Sequence, residues 1–153
     1  MDCRYLNLHV PGIPVPQGSM RLVQGGRRMI HSNHEKLRQW RVQVGHAAMA
    51  EMGHARVRGE PWPAPGPVGL AVTFNFQRPA GHHINRKLTN PLRAVAPREH
   101  YVKPDLDKLV RAIGDALTDA GVILDDSQIT VLHAVKRWTT EAPYATVQIE
   151  SCT

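Results

Sequence analysis

Residues 103–129 read KPDLDKLVRAIGDALTDAGVILDDSQI, and the fold of the whole chain turns on them. Leu106, Leu109, Val110, Ile113, Ala116, Leu117 and Ala120 recur at helical spacing, which predicts an amphipathic helix over about 105–120. Pro104 stands just before it and Gly121 just after it, residues suited to a helix start and to a left-handed stop. Asp105 and Asp107 fall where free backbone N–H groups favour negative charge. Asp125 and Asp126 follow after the apolar connector Val122, Ile123 and Leu124.

A helix of about 15 residues is ~22 Å long, and the return segment 121–126, if extended, spans at most ~20 Å. The return is therefore expected to carry Asp126 back beside Asp105 and Asp107, with residues 122–124 packed antiparallel to the helix. Three carboxylates meeting at one point repel each other unless a cation sits among them. An all-oxygen set suits a hard ion, Mg²⁺ or Mn²⁺. Asp105, Asp107 and Asp126 are the expected metal ligands. Any one of these aspartates alone reads as a helix cap or a turn; the four together in a basic protein point to chemistry. Arg111 lies four residues after Asp107, on the same helix face, and either steadies a phosphate or pairs with Asp107.

Outward from this stretch, Arg4–Val10 alternates weakly and predicts a first strand, and residues 11–16 form a Pro-rich connector. Gly25 and Gly26 between two short apolar stretches predict a hairpin over 20–30 with a basic tip of Arg21, Arg27 and Arg28. Ser32 or Asn33 is expected to cap a helix from His34 to Met52, with a stripe of Leu37, Trp40, Val44, Ala47, Ala48 and Met52. Residues 59–67 form a Pro-rich linker, and Val68–Phe76 alternates as a strand. Residues 78–103 form a long basic loop, and two strands, 129–138 and 145–149, close the chain. The order β-ββ-α-β-α-β-β predicts a single α+β domain over 1–153, a small mixed sheet with two main helices on one face.

The net charge of +6 suggests a polyanionic partner. Residues 1–58 carry nine Lys and Arg against three acids, whereas six of the seven aspartates fall between Asp105 and Asp126. A basic body with one acidic cluster suits a protein that holds DNA and places a metal on it. Asp115 and Asp119 read as solubilising. No apolar run is long enough for a membrane span, and the N-terminus lacks the layout of a signal peptide, so a cytoplasmic protein is expected. Cys3 and Cys152 sit at opposite ends of the chain, and neither a zinc site nor a disulfide is expected of them in a reducing compartment.

The same residues resemble the RusA family of Holliday-junction resolvases, especially phage and prophage versions. The matching pattern is Pro104, Asp105, Asp107, Lys108 and Leu109, then Asp115–Thr118, Gly121 and Val122, then Asp125–Ile129, with Lys136 on the following strand. The hairpin and the helix from His34 resemble the family more loosely. The resemblance implies a homodimer in the bacterial cytoplasm that nicks two opposed strands of a four-way DNA junction with Mg²⁺ or Mn²⁺. It places the essential carboxylates on Asp105, Asp107 and Asp126, with Asp125 in support, and a functional lysine of some members on Arg111. Arginine holds phosphate well but does not readily donate a proton. Lys108 stands where other members have asparagine. Lys108, Lys136, Arg86 and Lys87 join the hairpin arginines as expected DNA contacts.

Three other readings are weaker. His82, His83, Asn85 and His100 suggest an HNH nuclease, but the segment is interrupted by prolines and no amphipathic helix follows until Pro104. Asp105-x-Asp107 suggests a dehalogenase-type phosphotransferase, but no buried apolar strand precedes it. A non-catalytic DNA- or junction-binding protein needs only the basic hairpin and helix, and would be indifferent to divalent ions.

Overall fold

The computed structural model describes residues 2–18, 20–23, 25, 28–31 and 34–152, without the side chains of 20–23 and 28–31. In chain order these form β1 (Cys3–Pro11), β2 (Met20–Val23), β3 (Arg28–His31), α1 (His34–Val57), β4 (Val68–Gln77), α2 (Leu106–Asp119), β5 (Ile129–Thr139) and β6 (Tyr144–Cys152). The order is the expected β-ββ-α-β-α-β-β. Four strands make one mixed sheet in the order β1-β6-β4-β5, and β2 and β3 pair as a separate hairpin. β6 is antiparallel to both its neighbours, while β5 runs parallel to β4. A parallel pair needs a crossover, and α2 supplies it.

One face of the sheet is apolar: Leu6, Leu8 and Val10 on β1, Val68, Leu70, Val72 and Phe74 on β4, and Ala145, Val147 and Ile149 on β6 are buried. Their period of two is the strand period, so every second residue of β1 and β6 faces water instead. Both helices cover this face. α1 buries Leu37, Trp40, Val44, Ala48, Met52 and Ala55, a stripe of three- and four-residue steps that runs one turn past the expected end at Met52. α2 buries Leu109, Ala112, Ile113, Ala116 and Leu117. Arg41 of α1 ties the helices together through ion pairs to Asp115, at 3.7 Å, and to Asp119. These two aspartates therefore brace the helix pair as well as facing solvent.

Two expectations need correction. Cys3 and Cys152 form a disulfide, because β1 and β6 pair in a register that sets them opposite each other with Cα atoms 4.1 Å apart. The ends of the sequence are neighbours in the sheet, which spacing along the chain does not reveal. The connector after α2 is also not packed throughout: Val122 and Ile123 are buried, but Leu124 is 66% exposed. Among the described residues, no helix is long and apolar enough to cross a membrane.

Candidate active site

The loop 78–103 emerges at the C-terminal end of β4 and delivers the chain to the start of α2. It is not structureless. It contains two 3₁₀ turns, Ala80–His82 and Ile84–Arg86, and is held by Arg78 donating to Pro97 O at 2.8 Å and Trp138 Nε1 donating to Glu99 O at 3.1 Å. His83 and His100 are only 3% and 6% exposed, so they pack the loop and do not meet DNA on its surface. Arg86, Lys87 and Arg93 remain exposed.

Asp105 occupies the N-cap position of α2 with extended backbone, yet its carboxylate accepts no capping hydrogen bond. It pairs with Lys108 Nζ at 3.1 Å. Asp107 lies in the first turn and is exposed. The Lys136 ammonium, reaching over from β5, donates to Val102 O at 2.6 Å and Pro104 O at 2.7 Å. Burial pulls the pKa of Lys136 below the ordinary lysine value, and the Asp105 carboxylate opposes that shift. Lys136 thus braces the start of α2 from beneath. Arg111 is exposed, and among the described residues neither it nor Asp107 enters an ion pair, so the simple intrahelical pair is not formed.

Asp126 arrives from the other side. Gly121 adopts φ 71°, in the left-handed region open to glycine, and turns the chain out of α2. Val122 and Ile123 then sink into the core, and Asp125 starts a 3₁₀ turn over Asp126–Gln128 with a reciprocal capping box. The Asp125 carboxylate accepts from Ser127 N at 2.9 Å, and hydrogen bonds from the Ser127 side chain first, and then from its backbone, hold its pKa below the ordinary carboxylate value. Gln128 accepts from Leu124 N at 2.6 Å and donates to Ala64 O at 3.1 Å and Gly66 O at 2.8 Å. This anchor was not singled out from sequence, although the Asp-x-x-Gln spacing of a capping box was there to find.

The turn leaves Asp126 exposed beside Gly114, halfway along α2: a Cβ on Gly114 would lie 4.0 Å from Asp126 Cβ. Asp107, Arg111 and Gly114 share one helix face, so Asp126 joins the face that carries Asp107 and Arg111. It stands about 10 Å further along the axis than Asp107, at 1.5 Å per residue. The expected closure of three carboxylates on one point is therefore not formed. The cause is local: buried Val122 and Ile123 use up the reach of the return segment, and Gln128 pins the turn to residues 64–66. Among the described residues, the only group of three metal-ligating side chains with ligand atoms within 4.8 Å is Cys3, Glu150 and Cys152, two of them joined by the disulfide. The donor chemistry of Asp105, Asp107 and Asp126 nevertheless suits a hard divalent cation, being oxygen throughout.

Of the remaining expected DNA contacts, Lys108 is half-buried on α2 and Lys136 is committed to backbone carbonyls. Arg21 and Arg28 lie on the β2–β3 hairpin, whose side chains are not described, and Arg27, like the expected caps Ser32 and Asn33, lies outside the described residues.

Comparison with known proteins adds one finding. The family model for endodeoxyribonuclease RusA matches residues 11–150, nearly the whole chain. No curated protein matches the sequence.

Proposed function

Starting from the chain's membership of the RusA endodeoxyribonuclease family, we propose that it is a Mg²⁺- or Mn²⁺-dependent endonuclease that resolves four-way DNA junctions by paired, symmetric nicks. The observation that carries this reading is the exposed face of α2, where Asp107, the unpaired Arg111 and, against Gly114, Asp126 stand in a row with Asp105 at its head. Acidic groups on a protein of net charge +6 are poorly placed to touch phosphate directly. A cation between them reverses that.

Asp105 and Asp107 at the head of α2, and Asp126 about 10 Å further along the same face, would supply the oxygen ligands for divalent ions rather than all three for a single one, with Asp125 shaping the turn that presents Asp126. A bound divalent ion supplies Lewis-acid stabilisation of phosphate charge and a more acidic water. The chain's own residues bind and orient. Arg111 sits one turn from Asp107 and offers a planar, permanently charged fork for a phosphate oxygen. Lys136 fixes the backbone at the start of α2, so that Asp105 and Asp107 keep their relative positions. The exposed Arg86 and Lys87 of the loop, with the hairpin arginines, supply the wider phosphate contacts.

A junction has approximate two-fold symmetry, so paired incision calls for two copies. We assign a homodimer on that ground. β5 is an edge strand with exposed Val131 and Leu132 on its two opposite faces, and its unpaired backbone edge would receive the second copy.

The test uses a mobile four-way junction with and without Mg²⁺. Wild-type protein is expected to cut two opposed strands only with the ion. Asp105→Asn, Asp107→Asn and Asp126→Asn are expected to stop cutting while junction binding survives. Cutting at near wild-type rate in any of the three removes that residue from the metal site. Tight binding with no cutting under any metal leaves a DNA-binding protein in place of the enzyme.

A further inference from the structure

Cys3 and Cys152 have company where the two ends of the chain meet. β1 and β6 pair through nine residues, in a register that sets Cys3 opposite Cys152 and Tyr5 opposite Glu150. Residues two apart on a strand share a face, so these four side chains stand together on the side of the sheet away from the helices. Glu150 Oε1 lies 3.5 Å from Cys152 Sγ and accepts from the Tyr5 hydroxyl at 2.7 Å. Gly69 of β4 flanks Glu150 on its other side, and a Cβ there would come within 3.5 Å of Glu150 Oε2. The carboxylate is thus oriented by a tyrosine and given room by a glycine. One carboxylate oxygen and the two sulfurs all lie within 4.8 Å of one another.

Two sulfurs and one oxygen are a selective ligand set. Mg²⁺ takes oxygen ligands, whereas thiolates joined by a carboxylate suit Zn²⁺. The ligand is the thiolate, so the bridge must first be opened. Zn–S bonds of about 2.3 Å in a tetrahedral site set two sulfurs roughly 3.8 Å apart. Rotation about the two Cα–Cβ bonds supplies that separation, because the strand ladder holds the backbones opposite each other with or without the bridge. Chain spacing argued against zinc because neither cysteine has a ligand partner near it at helical or turn spacing. Strand register supplies one, two residues before Cys152.

We propose that reduction of the Cys3–Cys152 bridge turns this corner of the sheet into a Zn²⁺ site, with Cys3, Cys152 and Glu150 as protein ligands and water in the fourth position. A dithiol reductant supplies the two electrons: its thiolate attacks one sulfur, the S–S bond breaks, and the reductant leaves as its own disulfide. Its two protons pass to the cysteine thiols. Zn²⁺ then displaces both protons to solvent and bonds to the two thiolates. Tyr5 is a positioning residue, touching the carboxylate and not the ion. The chain ends stay cross-linked in either redox state, by sulfur or by metal. None of the aspartates around α2 takes part, so the site does not depend on the endonuclease reading.

The test reduces the full chain with a phosphine, removes metal, and titrates it with Zn²⁺, and with Co²⁺ as a coloured stand-in, beside the oxidised chain. The reduced chain is expected to bind about one more Zn²⁺ than the oxidised chain, matching one ligand set per chain. Its Co²⁺ form is expected to show thiolate-to-metal charge-transfer absorption that the oxidised chain lacks. Cys3→Ser and Cys152→Ser should each lose the extra ion. Tyr5→Phe leaves every ligand in place and should lower Zn²⁺ affinity by about 10-fold, the scale of a lost partner behind a metal ligand. Glu150→Gln should lower it by at least as much. Both variants should still form the disulfide when oxidised, which checks that the sheet edge is intact. Equal zinc content in the reduced and oxidised chains, a Co²⁺ form without the charge-transfer band, or unaltered affinity in a Glu150→Gln chain that still forms the disulfide overturns the proposal.

Discussion

Gly114 and Asp126 are packed so that a Cβ on the glycine would meet Asp126 Cβ at 4.0 Å and Ile129 Cδ1 at 3.9 Å. Both are ordinary van der Waals separations, so a methyl group fits and a longer side chain does not. Gly114→Ala is therefore expected to keep junction cleavage and to raise stability by up to about 1 kcal/mol, the helix-propensity difference between the two residues. Gly114→Leu is expected to displace Asp126 and lower the cleavage rate by about 100-fold, as a misplacement of roughly 1 Å does. Thermal melts and single-turnover cleavage separate the two effects. Wild-type rates in the leucine variant would mean that the position of Asp126 against α2 is irrelevant to the chemistry.

The Cys3–Cys152 bridge joins residues 149 apart in sequence. A cross-link between the ends of the chain restricts the unfolded ensemble, and such bridges typically contribute about 2–4 kcal/mol. In a domain of this size each kcal/mol moves the melting point by about 2–4 °C. Reduction, or Cys152→Ser, is expected to lower Tm by on the order of 5–15 °C and to leave junction cleavage unchanged, because the bridge joins β1 to β6 and neither strand carries a residue of the candidate active site. Superimposable melts with and without reductant would show that the bridge is absent in solution or adds nothing.

The legible parts of the sequence were those where a pattern and its cause are both local. The alternation of Val68, Leu70, Val72 and Phe74, the stripe of α2, and Gly121 as its stop all appear as read. Asp105 and Asp107 at the start of a helix were likewise legible, because a proline and a period define that start. The position of Asp126 was not. Chain reach sets only an upper limit; the actual turn depends on Gln128 binding carbonyls at Ala64 and Gly66, 64 and 62 residues away. The disulfide was hidden for the same reason, since it depends on a strand register between the two ends. The burial of His83 and His100 was hidden as well, because a polar loop signals solvent only when no core lies beneath it.

The capping box at Asp125 makes a prediction in acid. Its carboxylate has a lower pKa folded than unfolded, chiefly through Ser127. The unfolded chain therefore binds the proton more readily, and the stabilisation is fully present above the ordinary aspartate value. It is lost as pH falls through the folded pKa. Asp125→Asn is expected to be less stable than wild type at pH 7, with the difference vanishing as pH drops below the usual carboxylate range. Urea titrations across pH 2.5–7 measure it. A gap that persists unchanged at the acid end assigns the loss to shape rather than to charge.

Arg111 carries the last prediction, because its exposed, unpaired guanidinium stands between Asp107 and the Gly114–Asp126 contact. If it holds the phosphate that is cut, its removal changes the rate more than the affinity. Arg111→Ala is expected to lower single-turnover cleavage by about 100-fold, the scale of one lost electrostatic donor at a reacting centre. Junction affinity should fall by less than about 10-fold, with the slope of log affinity against log salt falling by about one. Arg111→Lys keeps the charge and loses the fork, so it should recover the salt slope fully and the rate only in part. Equal losses of rate and affinity in Arg111→Ala would recast the residue as a general DNA anchor, and full recovery of the rate by lysine would show that position and charge suffice without the planar fork.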